Sequence, residues 1–199
     1  MSNQQISRST RVLLVLMAMT MGVGAAQLRA DAGPPHTFVS INPPQERAVT
    51  WALALFDRAE LELPNIEFVG TADREQCHGR DGMAKQTESG ALITLCAIEI
   101  GPAQEWAILH EIAHAWDYHS LDSGTRSAFL ELRNHDAWRE GAWHERGAEN
   151  AAEIIAWGLI DRPSKPVHIY GNSCEELEAG YETLTGQKAL HGYTERCSE

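Results

Sequence analysis

Apolar positions recur at helical spacing in the first part of the chain and then at strand spacing. From Gln45 to about Glu62, apolar residues return at three- and four-residue steps, which predicts an amphipathic helix. Residues 66–69 alternate apolar and polar side chains and predict a strand, and the apolar run Gly90–Ile98 predicts a second, stronger strand. The polar, glycine-rich stretch between them, residues 71–89, is predicted to be a loop. A small sheet is therefore expected after the first helix.

The second half of the chain is predicted to be mostly helical. Gly101-Pro102 is a helix start signal, and residues 103–118 contain neither glycine nor proline to interrupt a helix. These elements predict an α+β fold in a single domain, with a small sheet beside helix 103–118 and a mostly helical C-terminal part. Residues 135–146 are expected to be irregular, and the further predicted helices cover residues 123–133, residues 147–160 and the segment from the capping residues 172–174 to about Leu184.

The first 26 residues have the pattern of a secretory signal peptide. A polar start carrying Arg8 and Arg11 precedes the apolar run Val12–Met21, which is too short to span a bilayer, and small residues follow up to Ala26. Residues 27–44 contain four prolines and are predicted to form an extended arm leading into a domain at 45–199. The chain is therefore expected to be secreted, to an extracellular or periplasmic compartment, and to keep no stable membrane anchor after cleavage.

The charge of the chain is strongly negative. The formal net charge is −12, and removal of residues 1–26 takes away two arginines and no acid, which leaves −14. Nucleic acids and anionic membrane surfaces are therefore disfavoured as partners, because like charges repel. The remaining length of roughly 170 residues is sufficient for one domain with its own core.

Four cysteines follow the predicted signal peptide. An even number of cysteines in an exported chain predicts disulfides, and three pairings of four cysteines are possible. No two of them form a Cys-x-x-Cys pair, which disfavours a structural zinc site built from cysteines. Pairing between near neighbours in the sequence is the favoured arrangement, and it joins Cys77 with Cys96 and Cys174 with Cys197.

The predicted helix 103–118 contains His110-Glu111-Ile112-Ala113-His114, an HExxH motif. Residues four apart on a helix are rotated by about 400°, so His110 and His114 share a face and can bind one metal ion. Glu111 is rotated by about 100° from His110, and its carboxylate can reach a water on the open position of that metal. The motif therefore predicts a hydrolytic zinc site with Glu111 as the general base.

A catalytic zinc ion normally has three protein ligands and one open position, so a third ligand is required. The metzincin pattern does not supply it, because Asp117 and Ser120 stand where that pattern has glycine and histidine. Glu149 and Glu153 lie four apart in an otherwise apolar segment, where two carboxylates are costly unless a cation compensates them. Glu149 is the favoured ligand, and the other candidates that stay open are Asp117, His119, His135, Asp136, His144 and Glu153.

The HExxH motif followed by Glu149-x-x-x-Glu153 resembles the HExxH…ExxxD arrangement of the gluzincins, the thermolysin-like zinc peptidases. The resemblance implies a zincin-like fold in which His110, His114 and Glu149 bind Zn²⁺. It also implies that Glu153 accepts a hydrogen bond from the outer nitrogen of a ligand histidine and so fixes its ring. The chain departs from the pattern in carrying Glu rather than Asp at position 153, and no subfamily is identified.

The expected function is that of a secreted zinc-dependent peptidase, in which Glu111 activates a water that attacks a peptide carbonyl. Peptides or proteins are the expected substrates. Two alternatives stay open: a zinc-binding or partner-binding module without turnover, and a zinc hydrolase that acts on cell-wall material. Sequence preference, endo- or exo-cleavage and oligomeric state are not predicted. The candidate donors to the oxyanion are His144, His168, Tyr170 and Tyr181.

Two features of the sequence allow either a functional or a structural role. The strand predicted at Gly90–Ile98 can lie at the rim of the site, where an extended peptide adds to its free edge, or in the core. A group of tryptophans can line a substrate cleft or pack in the core, and it consists of Trp106, Trp116, Trp138, Trp143 and Trp157.

Overall fold

The computed structural model describes residues 36–162 and 173–190 together with Cys197. This part of the chain contains a four-stranded mixed sheet and five α-helices, which confirms the α+β class. The strands and helices follow one another as β1 (Thr37–Val39), α1 (Pro43–Arg58), β2 (Ile66–Gly70), β3 (Gly82–Thr87), β4 (Gly90–Leu95), α2 (Pro102–Ser120), α3 (Ser123–Arg133), α4 (Gly147–Leu159) and α5 (Cys174–Thr185).

The sheet has the spatial order β1-β2-β4-β3. Strands β1, β2 and β4 run parallel, whereas β3 is antiparallel to β4 and forms one edge. One prediction is thereby corrected, because residues 82–87 form a strand rather than part of a loop. Of the two roles left open for the strand at Gly90, the structure supports the core strand, since β4 has a strand on each side and no free edge. The sequence pattern does not predict β3 because Lys85 and Gln86 are exposed and polar, so its pairing depends on backbone hydrogen bonds.

Helix α2 lies at the centre of the core. It contacts β3 and β4 of the sheet as well as α1 and α4, and most of its residues are buried. A helix that is apolar on nearly all sides is typical of this position between other elements. The residues that fill the interior around it are large and apolar, and they include Phe56, Phe68, Leu109, Ile112 and Ile154.

Capping residues set the ends of several helices. Asn42 accepts a hydrogen bond from the backbone N–H of Gln45, so α1 begins at Pro43, two residues before the predicted start. Helix α3 is capped by Asp122 and not by Ser123, the cap that the sequence favours. Ser173 caps α5 as expected, and Gly186 ends that helix with a φ of 72°, a conformation that glycine adopts at little cost.

Both expected disulfides are present. Cys77 pairs with Cys96, and Cys174 pairs with Cys197. The first bond joins the short 3₁₀ turn Arg74–Cys77, which precedes β3, to the residue that follows β4. Disulfides of this kind are typical of proteins in an oxidising compartment.

The predicted signal peptide, residues 1–26, lies outside the described residues. Of the predicted arm, residues 37–39 form β1 and residues 43 and 44 open α1. In residues 36–162 and 173–190, none of the helices combines the length and the apolar character needed to cross a membrane.

Helix α4, which carries Glu149 and Glu153, is held against α5 at a glycine. A Cβ atom at Gly158 would overlap the ring of Tyr181, a residue that is 1 % exposed. The close approach of the two helices therefore requires that position 158 has no side chain, and it sets where α4 lies against the rest of the core.

We expect the substitution Gly158→Ala to lower the free energy of unfolding by about 1–3 kcal/mol, because the buried Tyr181 ring has no room to move aside. Urea denaturation measures this change. The control is Gly124→Ala in α3, where an added methyl group meets only the exposed Asp122 side chain. A loss of equal size in both variants would contradict the explanation.

Candidate metal centre

Helix α2 presents the two histidines of the motif on one face. His110 and His114 are buried, at 7 % and 8 % exposure, and their Nε2 atoms lie 3.1 Å apart. The helix runs through both residues without interruption, so the four-residue spacing brings the rings one turn apart. Two ring nitrogens this close can share one proton or bind one metal ion between them.

Glu149, in the first turn of α4, completes the group. Its Oε2 atom lies 3.2 Å from Nε2 of His110 and 3.3 Å from Nε2 of His114. Ligand atoms at the corners of a tetrahedron with bonds of about 2.0–2.1 Å would be about 3.3–3.4 Å apart. The three atoms therefore have the spacing needed to hold a metal ion, and they form the one such group found within the described part of the chain.

Glu153 lies behind His110, on the side away from Glu149. Its Oε1 atom lies 3.0 Å from Nδ1 of His110. This contact is an ion-pair contact, because the two groups are not aligned for a hydrogen bond. The same oxygen accepts a hydrogen bond from the indole N–H of Trp106 at 3.1 Å. Glu153 is 3 % exposed, so this carboxylate is held in place by its two neighbours and can orient the histidine ring.

The electrostatics of the group show that it needs a positive charge. Burial alone would lower the pKa of His110, but contacts with Glu149 and Glu153 raise that pKa to about 10. Burial alone would raise the pKa of Glu149, whereas contacts with His110 and His114 lower it. Two buried carboxylates thus favour a cation among them, either a proton on an imidazole or a bound metal ion.

Glu111 lies beside this group and faces open space. It is half-buried and lines two recesses, one on the His114 side and one on the His110 side. Strand β3 packs directly against it, because a Cβ atom at Gly82 would lie 3.0 Å from Cγ of Glu111. The edge strand that the sequence did not predict therefore borders the site.

The recess on the His114 side has a volume of about 180 Å³. The ring of Tyr118 lies nearly parallel to that of His114, with centroids 6.3 Å apart, and the guanidinium of Arg139 lies over the Tyr118 ring at 4.8 Å. We call this space the basic recess, and besides Glu111, His114 and Glu149 it is lined by Arg80, Met83, Ala84, Tyr118, Arg139 and Arg146.

The recess on the His110 side has a volume of about 350 Å³. The indole of Trp143 stacks on the ring of His110, with centroids 6.4 Å apart. We call this space the aromatic recess, and besides His110, Glu111 and Glu153 its lining includes Gly82, Ala103, Trp106, Ala107 and Trp143.

The structure does not bring the other candidate ligands into the group. Asp117 is buried, but its carboxylate accepts hydrogen bonds from Arg126 at 3.0 Å and from Trp138 at 3.2 Å. Those two contacts hold the Asp117 carboxylate outside the group. The remaining candidates outside the group are exposed or half-buried, and they are His119, His135, Asp136 and His144.

The structure places two of the candidate oxyanion donors in neither recess. Tyr181 is buried against Gly158 in the core, and burial raises the pKa of its hydroxyl. His144 is exposed and lines neither recess. His168 and Tyr170 lie outside the described residues.

The tryptophans divide between the two roles that the sequence left open. Trp116 and Trp157 belong to the core, and Trp138 packs on Phe129. Trp143 lines the aromatic recess together with Trp106, which is also buried.

Sequence reasoning missed Tyr118 and the arginines of the basic recess. Tyr118 follows His114 by four residues, so the same helical spacing that paired the histidines would have placed it on their face. Arg139 and Arg146 lie in the segment between α3 and α4, which has no periodic pattern from which their direction could be predicted.

Comparison of the chain with protein-family models, with curated proteins and with solved structures finds no match.

We expect Glu149→Gln to abolish stoichiometric zinc binding, because it removes the only carboxylate oxygen that, among residues 36–162 and 173–190, contacts both histidines. Glu153→Gln should weaken zinc binding by roughly 10- to 100-fold without abolishing it, because it affects only the orientation of His110. Zinc titration and metal analysis of the purified variants measure both effects. Glu131→Gln, at an exposed position of α3, is the control and should bind zinc normally. The opposite order would exchange the roles of the two carboxylates.

Proposed function

We propose that this chain is a secreted zinc-dependent peptidase with a gluzincin-like site in a zincin-like fold. In this proposal His110, His114 and Glu149 bind Zn²⁺, and Glu111 is the general base. The observation that carries it is the meeting of three ligand atoms, from α2 and α4, beside Glu111 and next to the two recesses that Glu111 lines.

The donor set supports zinc as the metal. Two imidazole nitrogens and one carboxylate oxygen are a common ligand set for catalytic zinc, and imidazole suits zinc better than it suits magnesium or calcium. The carboxylate of Glu153 beside His110 is the kind of outer partner that orients a zinc-bound histidine.

The residues around the ligands can perform hydrolysis of a peptide bond. When bound, Zn²⁺ supplies Lewis acidity, which polarises the carbonyl and lowers the pKa of a water. Glu111 takes a proton from that water as the water oxygen forms a bond to the carbonyl carbon. Glu111 then gives the proton to the amine nitrogen as the carbon–nitrogen bond breaks. The products are a carboxylic acid and an amine, so one water is consumed for each bond cleaved.

Strand β3 can bind an extended substrate through its backbone. Cys96 donates its N–H to the carbonyl of Asp81 at 2.8 Å. Because hydrogen-bonded pairs alternate along an antiparallel ladder, Gly82, Ala84 and Gln86 direct their backbone groups away from β4. Gly82 and Ala84 also line the two recesses beside Glu111. A peptide that adds to this edge would therefore cross the candidate metal centre.

Secretion is supported by two independent features. The N-terminal 26 residues have the pattern of a signal peptide, and the domain contains two disulfides, which form in oxidising compartments.

We expect Glu111→Gln to lower kcat for hydrolysis of a protein substrate such as casein by at least about 100-fold while zinc binding stays near-stoichiometric. The control is Glu105→Gln, which lies on the same helix and pairs with Arg162 rather than with the site. Hydrolysis that survives in Glu111→Gln would show that Glu111 is not the base. If zinc-loaded wild type cleaves no peptide or protein, the chain is a metal-binding module without turnover, or its substrate is of another class, which a panel of cell-wall fragments would reveal.

We expect Ala84→Pro to lower kcat/KM for peptides by roughly tenfold, because proline removes a backbone donor from the free edge and leaves the ladder with β4 intact. Gln86→Pro is the matched control: it removes a donor from the same edge at a residue that lines neither recess. Peptide hydrolysis and zinc content are measured for both. Equal activity of the two variants would contradict binding along β3.

A further inference from the structure

The basic recess carries more positive charge than the composition of the chain would suggest. The sequence has 28 acidic residues and 16 basic ones, yet Arg80, Arg139 and Arg146 all line this one space of about 180 Å³. Arg80 and Arg139 are exposed, and Arg146 is half-buried, so their charged ends remain accessible to a ligand.

These three arginines have no carboxylate partner among the described residues. Arg146 donates from Nε to the carbonyl of Gly141 at 2.9 Å, which orients its guanidinium. Arg139 contacts the ring of Tyr118, a cation–π contact that leaves its donors unused. In other parts of the structure arginines pair with acids, as in Arg58–Asp161, Arg74–Asp81, Arg126–Asp117 and Arg162–Glu105.

The net charge of the basic recess stays positive when a divalent cation occupies the proposed metal site. Its acidic lining residues are Glu111 and Glu149. A divalent cation at the site compensates both carboxylates, so the three arginines are then left without compensation. A ligand that brings its own negative charge would satisfy them, because guanidinium groups bind carboxylates strongly.

The aromatic recess, on the other side of Glu111, has a different character. Its lining includes Trp106, Trp143 and two alanines, and its charged residues other than Arg80 are acidic. An extended peptide along β3 would pass from one recess to the other, since Gly82 lines the aromatic recess and Ala84 the basic one. The two sides of the scissile bond therefore meet opposite environments.

We propose that the basic recess is a subsite for a substrate carboxylate, so that the peptidase selects peptides with an acidic group on one side of the scissile bond. This inference rests on the proposed function and names the substrate class for it. The carboxylate can come from an Asp or Glu side chain or from the free C-terminus of the peptide. If the substrate runs antiparallel to β3, the acidic residue lies N-terminal to the scissile bond; if it runs parallel, the acidic residue lies C-terminal to it.

The test compares quenched-fluorescence peptides that carry Glu or Gln at the position before or after the scissile bond, each with a free or an amidated C-terminus. For zinc-loaded wild type we expect kcat/KM to be roughly tenfold higher with Glu at one of the two positions, or with the free C-terminus. Arg139→Gln and Arg146→Gln should each reduce this ratio towards one. Arg47→Gln, at an exposed arginine of α1 that lines neither recess, should leave it unchanged. Raising the salt concentration should reduce the ratio as well, because the charges are open to solvent.

A binding measurement makes the test independent of turnover. Fluorescence anisotropy of the same Glu and Gln peptides, labelled without a quencher, is measured on the zinc-loaded Glu111→Gln protein. We expect the acidic peptide to bind more tightly than the neutral one, and we expect this difference to disappear in the double variant Glu111→Gln/Arg146→Gln. That result supports the subsite even if no cleavage is found.

The inference is overturned if the acidic and neutral peptides bind equally well and, where cleavage occurs, react at equal rates. It is also overturned if the arginine variants slow both peptides by the same factor, since that result indicates a role at the reacting carbonyl rather than in substrate selection. Cleavage of both peptides at equal rates, dependent on Glu111, would remove the subsite and leave the proposed peptidase function standing.

Discussion

The interaction on which the rest of the structure depends is the contact of two buried histidines with two carboxylates between helices α2 and α4. Negative charge at this depth is costly without a compensating positive charge. The raised pKa of His110 and the lowered pKa of Glu149 both result from this need for a compensating positive charge. A bound divalent ion meets it more fully than a shared proton, because it contacts all three converging atoms at once.

The fold serves this contact by holding two helices at a fixed separation. Helix α2 is enclosed by the sheet, α1 and α4, so its histidines cannot turn outward. Helix α4 has buried alanines at 148, 151, 152 and 156, packs against α2 and meets α5 at Gly158. This packing brings Glu149 into contact with both histidines. The position of Glu149 beside the histidines is therefore a consequence of helix packing rather than of local sequence.

Edge strand β3 and the two recesses make the two sides of the site different from each other. The strand borders Glu111 and directs backbone groups away from β4, whereas the recesses differ in charge and in aromatic content. Hydrolysis at the centre and selection at the sides would then use different residues. In the proposed peptidase, a change at the arginines would alter selectivity and leave the candidate metal centre as it is.

The amino-acid sequence by itself determined the features that depend on the spacing of residues near one another in the chain. The helical face shared by His110 and His114, the cap of α5 and the pairing of cysteines near in sequence all follow from separations of a few residues up to about twenty. Only the tertiary structure decided which carboxylate meets the histidines, because Glu149 and its rivals differ in helix packing and not in local pattern. It also decided the place of β3, whose pairing uses backbone hydrogen bonds, and the grouping of Arg80, Arg139 and Arg146. Residues so far apart in the chain become neighbours only when buried surfaces bring their segments together.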